Sequence, residues 1–148
     1  TISINGPRRF KILKSYLVTA MWCEEESPEY EDKTINDFSN EAEEKAKKEI
    51  EWFVEMADGA LDNISDSSIG SDLWYTRNGH GVGFWDRGYD KYVEELLCDL
   101  CKVLGDPDMY VSDKGKIEFG HSSKYKDFDL KKYKEEKILK RNIDKYNL

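Results

Sequence analysis

Residues 71–87 read S-D-L-W-Y-T-R-N-G-H-G-V-G-F-W-D-R, and this stretch decides the fold prediction for the whole chain. At its centre, Asn78-Gly79 separates two runs that are rich in aromatic residues. This dipeptide is typical of a two-residue hairpin turn, because a type I′ turn needs a positive φ at both central positions. The stretch therefore predicts a β-hairpin with Asn78-Gly79 at its tip.

The predicted pairing gives this hairpin two different faces. Three cross-strand pairs lie on one face: Arg77 with His80, Tyr75 with Val82, and Leu73 with Phe84. The other face carries two tryptophans, a threonine and two glycines: Trp74, Thr76, Gly81, Gly83 and Trp85. Because side chains alternate across a strand, a glycine opposite an indole leaves bare backbone framed by aromatic rings. Such a face suits contact with something flat or with another chain segment.

Outward from this hairpin, hydrophobic periodicity predicts helices and a second hairpin. Three segments have apolar residues at helical spacing: residues 7–23, 40–61 and 89–104. Residues 108–119 predict the second hairpin, in which Gly115 takes the left-handed position of the turn. We therefore expect an α+β fold, with an antiparallel sheet built from two β-hairpins and helices packed on one face. Residues 1–123 would form this single domain, and residues 124–148 a basic C-terminal helix or arm.

The charge pattern bounds the kind of partner. The chain has 148 residues and a formal net charge of −8. Residues 24–66 carry 16 acidic and 4 basic side chains, whereas residues 124–148 carry 9 basic and 5 acidic ones. An acidic protein repels the phosphates of nucleic acid, so we expect a protein partner rather than nucleic acid. No apolar run is long enough to cross a bilayer, and we expect no membrane contact.

The cysteines and glycines do not indicate a metal ion or a cofactor. Three cysteines are an odd number, which favours a reducing cytoplasm over a disulfide framework. Cys98 and Cys101 have the spacing of a zinc or redox pair, but they would lie in the middle of a helix without the further ligands that zinc needs. Gly79, Gly81 and Gly83 lack the spacing of a nucleotide-binding loop. We therefore expect no metal and no cofactor.

Candidate binding residues come from the predicted hairpin tip and the charged residues after it. They are Trp74, Arg77, His80, Trp85, Asp86 and Arg87. A second candidate surface is the acidic side of the predicted helix over residues 40–61, with Glu41, Glu44, Glu51 and Glu55. The first surface suits contact with a partner, and the second would imitate the charge of nucleic acid toward a basic groove.

An alternative function uses part of the same stretch as a site for chemistry. A small hydrolase, or a nucleotide- or ligand-binding protein, could use the cluster of Arg77, His80, Asp86 and Arg87. No serine or cysteine nucleophile is evidently coupled to His80, and no second carboxylate is spaced to orient it. The sequence therefore favours a protein without enzymatic activity.

Residues 72–87 resemble a motif of small proteins encoded by bacteriophages and prophages. Members of that family share Asp-[Phe/Leu]-Trp, then Thr-Arg-Asn-Gly-His-Gly, then Gly-Phe-Trp-Asp-Arg, followed by a helix and an aspartate-glycine hairpin. The similarity extends to K-S-Y-L-V-T-A-M-W at residues 14–22 and to D-M-Y-V-S-D-K-G-K-I at residues 108–117, and covers most of residues 10–119. The family has no assigned activity, so the resemblance implies no catalytic residues.

What the resemblance implies is an accessory protein of a phage, acting in the cytoplasm of the bacterial host. Together with the charge pattern, it leads us to expect a non-enzymatic protein that binds a host or phage macromolecule through an acidic or aromatic surface. Inhibition of a host defence system is one role that such a surface would suit. The oligomeric state does not follow from the sequence.

Overall fold

The computed structural model describes residues 6–146, and this part of the chain is mostly helical. It contains five α-helices and one two-stranded antiparallel sheet. In chain order the elements are α1 (Gly6–Cys23), α2 (Asn40–Ala57), α3 (Asp66–Arg77), α4 (Lys91–Leu104), β1 (Met109–Val111), β2 (Ile117–Phe119) and α5 (Leu130–Tyr146). The α+β class is confirmed, although helices account for far more of the chain than strands do. Residues 1–5 of the predicted domain and residues 147–148 of the predicted tail lie outside the described residues.

Helices α1 and α3 pack against each other through small side chains. Gly70 of α3 lies so close to α1 that a Cβ placed on it would be 2.5 Å from the carbonyl oxygen of Ile12. Ser71 Oγ lies 3.0 Å from the hydroxyl oxygens of both Ser15 and Thr19. The hydroxyl groups satisfy one another where the two helices meet. This close approach therefore depends on residues without bulky side chains.

Helices α2 and α4 form where the sequence predicts helices, and each buries an apolar face against the core. The buried apolar residues of α2 are Ala42, Ala46, Ile50, Phe53, Val54 and Ala57. Those of α4 are Leu97, Leu100, Cys101 and Leu104. Ser39 caps α2 by accepting a hydrogen bond from the Ala42 N–H at 3.0 Å, and Asp90 caps α4 through the Tyr92 N–H at 2.9 Å. Each large apolar side chain buried in this way contributes about 1.5–3 kcal/mol to folding.

The second predicted hairpin is confirmed and provides the two strands of the sheet. β1 and β2 pair in antiparallel fashion, with Val111 opposite Ile117. In the turn between them, Gly115 has a φ of +78°, the left-handed conformation that the sequence predicts. The Ser39 N–H donates to the Ile117 carbonyl at 3.1 Å, which attaches the segment before α2 to β2. Ile117 and Phe119 face the core.

The first predicted hairpin is wrong, because the chain completes helix α3 where a strand was expected. Asn78 has a φ of −97° and Gly79 one of +67°, whereas a type I′ turn requires positive values at both positions. The His80 N–H donates to the Tyr75 carbonyl at 3.1 Å, and the Gly79 N–H donates to that of Thr76 at 3.5 Å. These two bonds form a Schellman motif, a common end of a helix with glycine in the left-handed position. Across the described residues the sheet therefore has two strands, and the predicted sheet of two hairpins is not formed.

After α3 the chain folds back along that helix. The Phe84 N–H donates a hydrogen bond to Thr76 Oγ1 at 3.0 Å. A Cβ on Gly83 would lie 2.5 Å from the same oxygen, so this loop has no room for a larger residue there. The loop delivers the Phe84 ring to the core, where it stacks on Phe53 with the centroids 5.6 Å apart. Phe84 is therefore buried by a returning loop and not by a strand.

The tail forms a helix, one of the two forms that the sequence predicts. Helix α5 contains no buried residue. It contacts α4 through polar side chains, since the Tyr133 hydroxyl donates to Asp99 Oδ2 at 2.7 Å and Lys137 Nζ lies 3.0 Å from the same carboxylate. Lys137 also forms an ion pair with Glu95. The boundary between domain and tail after residue 123 stays a prediction.

Candidate interaction surface

Arg77 lies in the core, and not at an exposed tip as predicted. Its side chain is 1% exposed. Its Nη1 donates to Glu49 Oε1 and to the Tyr16 hydroxyl, each at 2.9 Å. Its Nε and Nη2 donate to the carbonyls of Gly105 and Leu104 at 2.7 and 3.2 Å. Carbonyls at the end of a helix lack partners within the helix, so Arg77 satisfies the end of α4 while joining it to α1, α2 and α3.

The protonation states in this network follow from burial and charge. Burial by itself lowers the pKa of Arg77, but the interactions with Tyr16 and Glu49 outweigh it, and the pKa is raised. Burial raises the pKa of Tyr16, against the lowering effect of Arg77. The arginine therefore stays a cation and the phenol keeps its proton. Glu49 is the carboxylate partner of Arg77.

A second ion pair joins the two ends of the motif over residues 72–87. Arg87 Nη2 donates to Asp72 Oδ1 at 2.6 Å, and Arg87 Nε donates to Oδ2 at 3.0 Å. The Asp72 side chain is 2% exposed, whereas that of Arg87 is 38% exposed. The hydrogen bond to Asp72 raises the pKa of Arg87. This bidentate pair ties the returning loop to α3, and the guanidinium covers the buried carboxylate.

The structure divides the predicted binding residues into two groups. Trp74 and Arg77 are buried, and the Trp74 ring meets the Tyr16 ring edge-on with the centroids 5.2 Å apart. The exposed residues are His80, Trp85, Asp86 and Arg87. The predicted position of Trp74 and Arg77 on a partner-facing surface is therefore corrected. Helix α3 turns both side chains into the core, where no partner reaches them.

Two members of the cluster that the sequence offers for a hydrolase or a ligand-binding protein, Arg77 and Arg87, form ion pairs within the fold. Its two arginines bind different carboxylates, Arg77 that of Glu49 and Arg87 that of Asp72. Both carboxylates are buried, so removing an arginine from either would leave an uncompensated charge in the core. Both guanidinium groups therefore hold the fold together, and their use with His80 on a substrate stays a prediction.

The predicted acidic surface on α2 is interrupted by basic residues. Its four glutamates are Glu41, Glu44, Glu51 and Glu55. All but Glu51 are exposed, and Glu51 forms an ion pair with Arg9, with Oε1 2.8 Å from Nε. Three lysines lie on the same helix: Lys45, Lys47 and Lys48. The surface of α2 therefore has mixed charge, which resembles nucleic acid less than the sequence predicts.

An open groove lies where the end of α1 meets the end of α3 and the loop that follows. Its volume is about 570 Å³. Its aromatic, apolar and acidic lining residues are Trp22, Tyr75, His80, Val82, Glu25 and Glu26. Trp22 is 64% exposed, and the His80 ring meets the Tyr75 ring edge-on with the centroids 5.8 Å apart. We call this feature the aromatic groove.

The ends of two helices position the aromatic groove. Trp22 lies in the last turn of α1, and the Schellman motif at the end of α3 holds His80 above Tyr75. The sequence prediction includes His80 but misses Trp22. Trp22 falls outside the apolar stripe of the predicted helix over residues 7–23, and a tryptophan on the solvent side of a helix is the signal that would have found it.

Residues 24–32 border the aromatic groove and concentrate negative charge. They contain six acidic and no basic side chains, and we call them the acidic segment. Glu25 and Glu26 are exposed and line the groove. Tyr30 is buried and anchors the segment, and its burial together with the neighbouring glutamates raises the pKa of Tyr30 to about 12. The fold therefore holds carboxylates at the edge of an aromatic surface.

Comparison with known proteins does not assign this surface. No protein-family model, no curated protein and no solved structure matches the chain. Within residues 6–146, no three histidine, cysteine, aspartate or glutamate side chains are grouped so that they could hold a metal ion. None of the helices in that part of the chain is long and apolar enough to cross a membrane. The functional proposal therefore rests on the exposed surface and on the motif.

Proposed function

We propose that the protein is a non-enzymatic accessory protein that binds a protein partner through the aromatic groove. The observation that carries this proposal is the position of an exposed tryptophan, Trp22, beside the carboxylates of Glu25 and Glu26. Single exposed apolar residues are common on protein surfaces, whereas a contiguous patch with a polar rim marks an interaction site. In the aromatic groove the exposed side chains of Trp22 and His80 lie beside the carboxylates of Glu25 and Glu26, a combination of that kind on a smaller scale.

The chemistry of the groove favours a basic segment of the partner. The face of an aromatic ring attracts a guanidinium or ammonium group, and each such contact contributes about 0.5–2 kcal/mol. Carboxylates at the rim add charge-assisted hydrogen bonds and guide a cationic partner during encounter. An arginine that lies against Trp22 would be within the reach of the carboxylates that line the same groove. Arginine is also among the residues that dominate binding energy at interfaces.

The resemblance to phage proteins supports an accessory role in the bacterial host, including inhibition of a host defence system. In this chain the motif residues Asp72, Arg77, Gly83 and Arg87 hold α3 and its returning loop in place. A shared motif of this kind supports a shared scaffold. The acidic segment lies outside the runs that carry the resemblance, so partner choice is free to differ between proteins with the motif.

The proposal is tested by capturing the partner from host cells with tagged protein and comparing two variants of one helix. Trp22→Ala removes a ring from the groove, and Phe10→Ala removes a ring that is 63% exposed at the other end of α1. Loss of an interface anchor costs about 2 kcal/mol or more, so Trp22→Ala should weaken the captured complex about thirtyfold. Phe10→Ala should bind like the parent protein. Equal capture of the partner by both variants would show that the aromatic groove is not the binding site.

A second pair of variants tests the contribution of charge. Glu25→Gln/Glu26→Gln removes two carboxylates from the groove, and Glu41→Gln/Glu44→Gln removes two from the exposed side of α2. We expect the first pair to weaken binding most at low salt, because salt screens exposed charges. A loss confined to the α2 pair would place function on the acidic helix. Binding that is unchanged by both pairs would contradict a basic partner segment.

A further inference from the structure

A second groove lies between α5, α4 and the residues that follow α2. Its volume is about 480 Å³, within the range of about 300–1,000 Å³ that is common for small-molecule sites. Its apolar lining residues are Ala57, Ala60, Val93, Leu96 and Ile138. Ile138 is 55% exposed, so the groove leaves apolar surface in contact with water. We call this feature the tail groove.

The α5 side of the tail groove carries three cations, Lys134, Lys137 and Arg141, of which Lys137 forms ion pairs with carboxylates. Lys137 is bound to Glu95 and Asp99. Across residues 6–146, Lys134 and Arg141 form no ion pair, although the pKa of Glu95, lowered mainly by its hydrogen bond with Lys137, is lowered further by Arg141. The carboxylate of Asp58 also lines the groove.

Arg141 is held in place without a hydrogen-bond acceptor. Its Cζ lies 3.6 Å from the centroid of the Tyr92 ring, so the guanidinium stacks on the aromatic face. Its Nε is buried and has no hydrogen-bond partner. A buried donor without an acceptor is unfavourable, and stacking fixes the orientation of the group before any ligand arrives. The guanidinium is thus held against Tyr92, beside the apolar residues that line the groove.

We propose that the tail groove binds a small carboxylic acid with an aliphatic body. The carboxylate would be bound by Lys134 and Arg141, and the aliphatic body would lie against Val93 and Leu96. Arginine offers parallel N–H donors that match the two oxygens of a carboxylate, which favours this anion.

The test uses decanoate as the probe and decyltrimethylammonium as a control of the same chain length. In calorimetric titrations of the full chain, decanoate should bind with one saturable site and raise the melting temperature. Lys134→Gln/Arg141→Gln should weaken this binding tenfold or more, since charge-assisted hydrogen bonds to a carboxylate are the stronger ones. Lys131→Gln/Lys132→Gln makes the same charge change on α5 outside the groove and should bind decanoate like the parent protein. Ala60→Phe should fill the groove and abolish binding.

Several results would overturn the assignment. Tighter or equal binding of the decyl cation would show that the cations of α5 do not select the ligand. Equal loss in the two lysine-containing double variants would show a response to net charge only. Decanoate binding that survives Ala60→Phe would place the ligand elsewhere. The two grooves share no lining residue. A protein that does not bind decanoate could therefore still bind a protein partner through the aromatic groove.

Discussion

Arg77 shows how strongly the role of one side chain depends on residues far away in the sequence. Its hydrogen-bond acceptors Glu49 and Tyr16 are 28 and 61 positions distant. Within its own neighbourhood, an arginine before Asn-Gly-His is typical of an exposed turn, which is why the sequence prediction places it beside His80. Arginine is buried only where it is paired, and no local pattern reveals the partner. The sequence therefore identifies Arg77 as a key residue but gives it a surface position.

We expect Arg77→Met to lower the free energy of unfolding by about 3–5 kcal/mol, because Glu49 would remain buried without its cation. His80→Ala, in the same motif but exposed, should change it by less than about 0.5 kcal/mol. Urea denaturation measures both values. Arg77→Met/Glu49→Leu should recover part of the loss, since the buried carboxylate is then absent. A stable Arg77→Met variant would mean that the network adds nothing to the fold.

At the scale of the element, a helix or hairpin is predicted correctly where its own residues show an apolar stripe or a turn pattern. Helices α2 and α4 have long apolar stripes, and the second hairpin has Gly115 in the position that its turn requires. Helix α3 lacks such a stripe, because its buried face includes Gly70, Asp72 and Arg77. Its N-cap, Ser65, lies in a Ser/Asp/Asn/Gly stretch that reads as a loop. The sequence of α3 therefore does not show apolar residues at helical spacing.

The Asn-Gly dipeptide is ambiguous for a physical reason. Both a type I′ turn and a Schellman motif use a residue with positive φ, and glycine at position 79 satisfies either one. Only the conformation of Asn78 distinguishes them, and its φ of −97° belongs to the helix end. A helical pattern before the dipeptide would have decided the question, but the polar residues that α3 buries conceal that pattern.

Two glycines of the loop after α3 provide a matched test of its packing. A Cβ on Gly83 would lie 2.5 Å from Thr76 Oγ1, whereas a Cβ on Gly81 would have nothing within 4 Å. We expect Gly83→Ala to lower the free energy of unfolding by about 1–3 kcal/mol, because Thr76 must move away from the Phe84 N–H. Gly81→Ala should be close to neutral in the same denaturation experiment. Equal effects of the two substitutions would mean that the loop does not pack on α3 as described.

At the scale of the whole molecule, the candidate surface is assembled from parts that the sequence does not connect. Trp22 ends one helix and His80 follows another, and the packing of α1 on α3 brings them to one groove. That packing depends on the close approach at Gly70, which no sequence pattern specifies. Composition identifies the acidic character of residues 24–66, and the sequence also shows the lysines among the glutamates of α2, but only the fold shows that the acidic segment borders exposed rings.

The tail gives a prediction about the limits of the folded core. A chain that ends at residue 129 should still unfold cooperatively, with a loss of about 1–3 kcal/mol, because α5 is attached to α4 by a few partly buried polar contacts and one cation–π contact. A chain that ends at residue 123, the predicted boundary, also lacks Tyr125 and Phe128. Their rings pack on Trp52 with centroids 5.3 and 5.7 Å away, so this shorter chain should be less stable. Thermal melts compare the two, and an unfolded 129-residue chain would make α5 part of the core.

The position of Arg77 has a consequence for synthesis of the protein on the ribosome. The residues of α1, α2 and α3 are translated before Leu104 and Gly105, whose carbonyls accept two of the hydrogen bonds from the Arg77 guanidinium. Until the end of α4 leaves the ribosome, burial of that guanidinium would leave donors without acceptors, which is unfavourable. The three earlier helices should therefore stay loosely associated on the nascent chain. Their apolar faces would be open to chaperones during that interval, and the core would close only when α4 emerges.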